Sequence, residues 1–332
     1  MIGRWWRGGG SERVAQVGPW ALVCVWVGWA LVRLLGLDRG FPLVPLVAYT
    51  PYMAAAAVLP IALALFLRRW AVALTGFVAG ACLVAVVVSR ALPDPGADDH
   101  RGPTLRVLSA NIHRGKADLG ELMDLVRVDR PDVLNVQELT PSAKAKLRRL
   151  GVERLLPHHD LPVYSGDASN VYRRIAGSGI YSRFPLRALR PGSYGFRMPR
   201  AMLRVPGGPR VEVVCVHPFP PNRHQIDLWS AALGSLPSAA GPLHVLAGDF
   251  NATLDQAELR DVLDRGYRDA ADAVGAGLTP TWSGNGLLSL PLTIDHVLLD
   301  ERAGVRDYST HDLPGSDHRA IFAELALGPE AD

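Results

Sequence analysis

The stretch GPLHVLAGDFNAT, residues 241–253, decides how the rest of the chain is read. From Leu243 to Ala247 it is a short apolar run between turn-forming residues, which reads as a strand buried on both faces. It then stops at Asp249, Phe250 and Asn251. A packed strand gains nothing from an acidic residue directly after LHVLAG. Polar groups at strand ends can instead project together into a cleft at the edge of a sheet. Asp249 and Asn251 could also merely cap a turn, a common use of these side chains, so the reading depends on whether other strands end the same way.

Other strands do end the same way. LRVLSANIHRG (105–115) runs into Asn111, a helix is predicted from about Asp118 to Val128, and DVLNVQEL (132–139) ends in Glu138. A charged helical segment around Lys144 to Leu150 precedes the strand-like GSGIYSRFPL (177–186). AMLRVPGGPRVEVVCVHPFPP (201–221) places a Gly-Gly turn between two strand-like runs, the second ending in His217. A helix near His224 to Leu236 returns the chain to residue 241. Beyond it, LTIDHVLLD (292–300) contains Asp295 and His296, and GSDHRAIFAEL (315–325) contains Asp317 and His318. Short apolar strands alternating with helical stretches argue an α/β or α+β architecture.

The first 91 residues are of another kind, almost unbroken Ala, Val, Leu and Trp, so the 48% hydrophobic share of the 332-residue chain averages two unlike parts. Apolar stretches at about 17–37, 43–67 and 70–89 each approach the ~20 residues needed to cross a bilayer as helix. They predict a membrane anchor, residues 1–91, with three transmembrane helices. The first run could be a signal peptide, but it is long, no small-x-small cleavage site follows, and two more runs come after it.

Arg4, Arg7 and Arg13 precede the first run, and Arg68 and Arg69 separate the second from the third. The positive-inside rule then puts the N-terminus in the cytoplasm and, after three crossings, the remaining domain outside it. Arg33 and Arg39 dilute that bias, although Arg33 could snorkel to the outer headgroups. Trp5, Trp6, Trp20 and Trp70 fall near the predicted interfaces, where amphipathic rings settle. The composition of PDPGADDHRGP (93–103) marks residues 92–103 as a linker and 104–328 as the soluble domain.

Residues 1–100 hold 8 Lys+Arg against 5 Asp+Glu, leaving 27 against 27 for the rest. A neutral domain lacks the broad basic field that draws in a long polyanion, which favours a small or lipid-borne substrate over nucleic acid. Of the cysteines, Cys24 and Cys82 lie in the apolar runs, and Cys215, in VEVVCVHPF, is read as a buried packing residue.

Asn111, the strand-ending Glu138, the GDFN run with Asp249 and Asn251, the Ile-Asp pair at Asp295, and the Ser-Asp-His of Asp317 and His318 together resemble the successive motifs of the endonuclease/exonuclease/phosphatase family. The resemblance covers about residues 104–326 in order. Each motif alone is weak; five in this order, with a His-bearing strand among them, are specific.

The resemblance implies a four-layer α/β/β/α sandwich, two mixed sheets packed face to face with helices outside, and an active site at one end of the sheets. It further implies a Mg²⁺ cofactor, with Mn²⁺ as a substitute. Glu138 would be the principal metal ligand, with Asn111 and Asp317 near the metal directly or through water, a sparse set suited to an ion that keeps several waters. Asp249 would orient or deprotonate the attacking water and Asn251 would steady it or the phosphate oxygens. Asp295 would align His318, which would act as an imidazolium or as a base. His217 would bind phosphate or protonate the leaving oxygen.

Other polar residues have blander readings. His296, next to Asp295, points to the opposite face of a strand and is read as structural. His113 and Arg114 lie in the turn after Asn111. His158, His159 and His311 lack metal-ligand spacing. Trp282, in TPTWSGNG (279–286), could wall a pocket, although packing is the commoner role for a buried aromatic. Arg173 and Arg174, or Arg197 and Arg200, could bind a second phosphate, against the reading as solvated surface charge. The tyrosine of abasic-site repair enzymes has no secure counterpart, Tyr181 being only a loose candidate, which argues against a DNA-repair role.

The sequence therefore predicts a membrane-tethered phosphoester hydrolase acting on a membrane lipid or lipid-linked envelope precursor, with no protein partner. Three spans before such a domain are also similar to actinomycete membrane proteins associated with glycopeptide (vancomycin or teicoplanin) resistance. A cell-surface nuclease and a noncatalytic phosphate-binding module are the alternatives.

Overall fold

The computed structural model describes residues 9–97, 102–162, 177–192, 196–284 and 289–328. The chain divides into two units, Met1–Ser89 with Asp255–Ala257, and Arg90–Leu254 with Glu258–Asp332.

The first unit is helical: α1 (Gly9–Leu35), α2 (Leu43–Val47), α3 (Thr50–Ala56), α4 (Val58–Phe66) and α5 (Trp70–Ser89). Val17–Leu35 and Trp70–Ser89 are long and apolar enough to cross a bilayer; Thr50–Phe66 is a shorter apolar stretch. The expected count of three continuous spans is thus corrected to two. The second run breaks because of its prolines. α2 stops at Val47, four residues before Pro51, and α3 at Ala56, four before Pro60, where a proline ring clashes with the i−4 carbonyl and offers no N–H. Some of the polar groups at the breaks are taken up locally: Thr50 Oγ1 donates to the Val47 carbonyl at 2.6 Å, and the indoles of Trp26 and Trp29 donate to the Met53 carbonyl at 2.9 Å and to Thr50 Oγ1 at 3.0 Å. Arg33 does not snorkel. It is buried, with Nε 2.7 Å from Asp255 Oδ1 of the same unit.

The unit boundary falls between Ser89 and Arg90. The described part of the expected linker does not hang free: Asp94 N donates to the Ala273 carbonyl at 2.9 Å, and Val305 N to the Ala97 carbonyl at 2.8 Å. Residues 98–101 lie outside the described residues.

The second unit carries two six-stranded sheets. The first runs β11 (Gly304–His311), β12 (Ala320–Ala326), β1 (Thr104–Asn111), β2 (Val133–Gln137), β4 (Gly179–Ser182), β3 (His158–Asp160). The second runs β5 (Leu186–Gly192), β6 (Met198–Arg204), β7 (Arg210–Val216), β8 (Leu243–Asp249), β10 (Asp295–Asp300), β9 (Tyr267–Asp269). Each sheet has one parallel pair, β1 with β2 and β7 with β8, and is otherwise antiparallel. A parallel pair needs a crossover; α6 (Leu119–Asp129) supplies the first and α9 (Ile226–Gly234) the second. α6 starts where Asp118 accepts from Gly120 N at 2.8 Å, and it buries Leu119, Leu122, Met123 and Val126 at helical spacing. Losing that cap to Asp118→Ala would cost about 1 kcal/mol.

Period-two alternation explains what each strand contributes. Leu105 and Val107 of β1, Val133 of β2, Val213 and Cys215 of β7, Val245 and Ala247 of β8, and Val297 and Leu299 of β10 belong to one core cluster between the sheets. Each fully buried Val or Leu there contributes roughly 1.5–3 kcal/mol. Leu108, Ala110, Leu134 and Val136, one position out of phase, pack instead under the helices of the first sheet. Continuing the inward phase along the same strands reaches Asn111, Gln137, His217, Asp249 and Asp295. The inter-sheet layer thus changes from apolar to polar toward one end. Asn135 Nδ2, partway along, bonds the Val214 and Ala247 carbonyls across the sheets at 3.2 and 2.9 Å.

Candidate active site

The carboxyl ends of the two parallel pairs bring four functional side chains to one rim: Asn111 at the end of β1, Glu138 after β2, His217 after β7 and Asp249 at the end of β8. Antiparallel register supplies the rest. Asp295 opens β10 directly opposite Asp249, and β12, antiparallel to β1, begins just after His318. Glu138 (φ 57°) and Asn251 (φ 48°) sit in the left-handed region, where a non-glycine residue is uncommon and where such backbone concentrates at functional sites.

Asp249 Oδ2 is the hub. Asn111 Nδ2 donates to it at 3.0 Å and Asn251 Nδ2 at 3.4 Å, while His217 Nε2 and His318 Nε2 lie 3.8 and 3.7 Å away. Its other oxygen accepts from Asn251 N at 2.8 Å. Burial raises the Asp249 pKa; the His318 charge lowers it, Asp295 raises it again, and it stands at about 7.

The two histidines that face this carboxylate differ. Burial by itself would lower the pKa of His318, but the charges of Asp295 and Asp249, and the 2.9 Å contact from Nδ1 to Asp295 Oδ2, hold it at about 10. His217, stacked on Phe196 with ring centroids 4.6 Å apart, is lowered to about 3 by burial and by the nearby His318 charge. His318 is therefore an imidazolium and His217 a neutral ring. A neutral ring can bind phosphate through its single N–H but is a poor acid for a leaving oxygen.

Asp249, Asp295 and His318 offer ligand atoms all within 4.8 Å of one another, close enough to hold a metal ion. Their chemistry argues for another use. Asp295 Oδ2 already accepts from Thr281 Oγ1 at 2.7 Å and contacts His318 at 2.9 Å. Glu138 fits a cation better: its Oε2 is buried without a hydrogen-bond partner, and its Oε1 lies 3.9 Å from His217 Nε2. A hard oxygen left unsatisfied is the donor a divalent ion such as Mg²⁺ prefers. Asp317, by contrast, has a protein partner on each oxygen, His113 Nδ1 at 2.9 Å and Trp282 Nε1 at 3.3 Å.

Several contributors carried no signal in the sequence. Thr281 Oγ1 accepts from the Ile294 and Asp295 amides, both at 3.0 Å, while donating to the Asp295 carboxylate. Ser316 Oγ donates to the Asn111 carbonyl at 2.7 Å and accepts from His318 N at 3.1 Å, coupling the two loops. Phe196 backs His217. A hydroxyl pattern in the TPTW and GSDH stretches was the available hint, but the partners lie far off in the chain. Trp282 does wall an open cavity of about 450 Å³, with Thr281, Pro291, Leu313, Asp317 and His318.

Other residues fall away from the site. His296 contacts Asp269 Oδ2 and the Ala252 carbonyl, both at 2.8 Å. Tyr181 is buried among the apolar residues under the first sheet's helices. Arg200 is tied to Glu212. Cys215 is buried in the inter-sheet core, its thiol pushed up to about 12 by burial. Arg173 and Arg174 lie outside the described residues.

The sequence profile of the Endonuclease/Exonuclease/phosphatase family matches residues 108–318. The fold is similar to an endonuclease/exonuclease/phosphatase from Beutenbergia cavernae at 19% identity and TM-score 0.54, covering 69% of this chain and 72% of that one. It is also similar to a truncated Caenorhabditis elegans TDP2 at 18% identity and TM-score 0.51, covering 68% of this chain and 98% of that one. No curated protein matches the chain.

Proposed function

The chain belongs to the endonuclease/exonuclease/phosphatase family, and from that premise we propose that it is a membrane-tethered, Mg²⁺-dependent phosphoester hydrolase. The observation that carries this reading is the arrangement around Asp249: a buried carboxylate that accepts from Asn111 and Asn251 and lies 3.7 Å from His318 Nε2, the histidine being held by Asp295 at 2.9 Å.

A carboxylate near pKa 7 is a far better proton acceptor than an ordinary aspartate, so Asp249 would take the proton of the attacking water as Asn251 and Asn111 hold it in line. His318, fixed by Asp295, would set positive charge against the oxygens of the phosphoryl group as the new bond forms. His217 would donate a neutral hydrogen bond to the same group. A divalent ion bound at Glu138, with Asn111 and Asp317 near it, would neutralise charge on the phosphoryl oxygens. Retention of the whole constellation argues against a noncatalytic phosphate-binding module.

Tethering is supported by where the apolar surface lies. The exposed large hydrophobics among the described residues cluster before residue 93, including Leu34, Phe66, Trp70 and Phe77, with only Val128, Leu155, Leu228 and Leu290 beyond. Patches of that size are otherwise rare on soluble chains. The arginines before α1 and at Arg68 and Arg69 would both lie inside if the interrupted run 43–67 recrosses the membrane, leaving the catalytic domain extracytoplasmic. Two crossings would return it to the cytoplasm. An active site held at the bilayer meets lipid-borne substrate at high effective concentration, which favours a membrane lipid or a lipid-linked envelope precursor and, through the latter, a contribution to glycopeptide resistance.

The deciding experiment is phosphate or alcohol release by the full chain in detergent, with Mg²⁺ or EDTA, across lipid phosphates, prenyl pyrophosphates, sphingomyelin-like diesters and DNA, beside His318→Ala. Metal-dependent turnover lost in the variant is expected, with lipid phosphates preferred. Turnover of DNA alone would favour the nuclease, and none at all the binding module. Reporters fused after residue 95 test the orientation: a reporter active only in the cytoplasm should be silent there.

A further inference from the structure

The turn after β1 contains three consecutive residues with positive φ, His113 (43°), Arg114 (56°) and Gly115 (76°). That region is disfavoured for any side chain with a Cβ, which crowds the following carbonyl oxygen, and glycine alone enters it freely. Only the third position is glycine. There the need is double, because a Cβ would fall 2.9 Å from Thr140 Oγ1 and 3.2 Å from Ala143 Cβ. The turn is thus packed against the start of α7 (Pro141–Leu150).

At His113 the side chain repays the conformation. Its Nδ1 lies 2.9 Å from Asp317 Oδ1, and Lys116 Nζ donates to its Nε2 at 3.3 Å. At Arg114 nothing comparable is returned. The side chain is 57% exposed, and its ion pair to Glu138 Oε2 is long, 3.8 Å from Nε; a pair so exposed and distant adds little to stability. For the fold alone, glycine would be the better residue at position 114. A non-glycine residue held in strained backbone at the mouth of a reactive site points to what the side chain does there.

We propose that Arg114 recognises substrate, its guanidinium gripping two oxygens of a terminal phosphoryl group beside Glu138. This rests on the phosphoesterase reading and deepens it by naming which kind of phosphate the site selects. The planar guanidinium fork matches paired oxygens of one phosphoryl group. A diester presents two non-bridging oxygens and one charge, which His318, His217 and Asn251 can already meet. A terminal phosphoryl group has a third free oxygen and a second charge, and Arg114, beside Glu138, is placed to take them.

The test uses the full chain in detergent as wild type, Arg114→Gly, Arg114→Lys and Arg114→Gln. Inorganic pyrophosphate and orthophosphate, in EDTA, are titrated by thermal shift, and KM and kcat are measured with Mg²⁺ on a monoester and a diester of one alcohol. Arg114→Gly should be at least as stable as wild type, since it removes the disfavoured Cβ. It should bind pyrophosphate roughly tenfold or more weakly, as loss of charge-assisted hydrogen bonds does. KM for the monoester should rise by a similar factor with kcat little changed and the diester unaffected; Lys should recover part and Gln almost none. Unaltered anion binding and unaltered monoester KM in Arg114→Gly would overturn the proposal, as would equal losses on both esters. If wild type turns over nothing but binds pyrophosphate through Arg114, the hydrolase reading fails and this recognition stands. Turnover with an indifferent Arg114→Gly is the reverse.

Discussion

The two sides of the cleft are built on opposite terms. On the Asp295 side the functional side chains are compensated: Asp295 accepts from Thr281 and contacts His318, and Asp249 accepts from Asn111 and Asn251. On the Glu138 side, Glu138 Oε2 and His217 Nδ1 are buried without hydrogen-bond partners, and Arg114 is exposed in unfavourable backbone. Buried polar atoms are seldom left unpaired, so the unpaired Glu138 Oε2 at this rim is the atom best suited to be completed by a ligand. The saturated side sets proton positions in advance; the open side receives.

The sharpest way to break this contrast is to remove one member from each side. His318→Ala takes away the fixed imidazolium, and kcat is expected to fall about 10²–10⁴-fold, with metal binding retained. Glu138→Gln keeps the shape but not the charge. Its activity should drop by about two orders of magnitude or more at ordinary Mg²⁺, beyond the 10–100-fold typical of outer residues, and partly return as Mg²⁺ is raised. If metal dependence instead vanished with Asp295→Asn while Glu138→Gln titrated normally, the ion would sit among Asp249, Asp295 and His318, and the assignment of sides would be reversed.

A smaller effect should come from Thr281→Val, which deletes the donor to Asp295 Oδ2 and the acceptor for two backbone amides. Asp295 would still meet His318, so a loss of about tenfold in kcat with KM unchanged is expected. A change in KM alone would make Thr281 part of the cavity wall and nothing more.

How much of this was legible in the sequence follows from the same contrast. Asn111, His217, Asp249 and Asp295 could be found because each ends or opens an apolar strand and shares its inward phase, so local pattern and tertiary position coincide. Glu138 was read as the polar end of DVLNVQEL and through the family resemblance; its aim depends on a left-handed backbone that no periodicity encodes. Thr281, Ser316 and Phe196 were missed because their roles are bonds and stacking between distant loops. In the N-terminal part, hydropathy registered three runs, but continuity of the second failed at Pro51 and Pro60, where the rule that operates is steric and local.

The finest probe of the two sides is their proton bookkeeping. His318 is raised from 6.5 to about 10, so its contribution to stability is fully present below pH 6.5 and is lost as pH rises toward 10. His217 is lowered from 6.5 to about 3, so its contribution is present above pH 6.5 and is lost as pH falls toward 3. Asp249, raised from 3.8 to about 7, acts in the sense of His318, with stability declining as pH rises through that window, and so partly masks the His217 limb in wild type. Thermal midpoints measured in EDTA from pH 4 to 9.5 should therefore separate the variants rather than the wild type alone. Relative to wild type, His318→Gln should flatten the alkaline limb and His217→Gln the acid limb, by a few degrees each. Both histidines flattening the same limb would mean they share one proton state, and the two sides of the cleft would not be distinct.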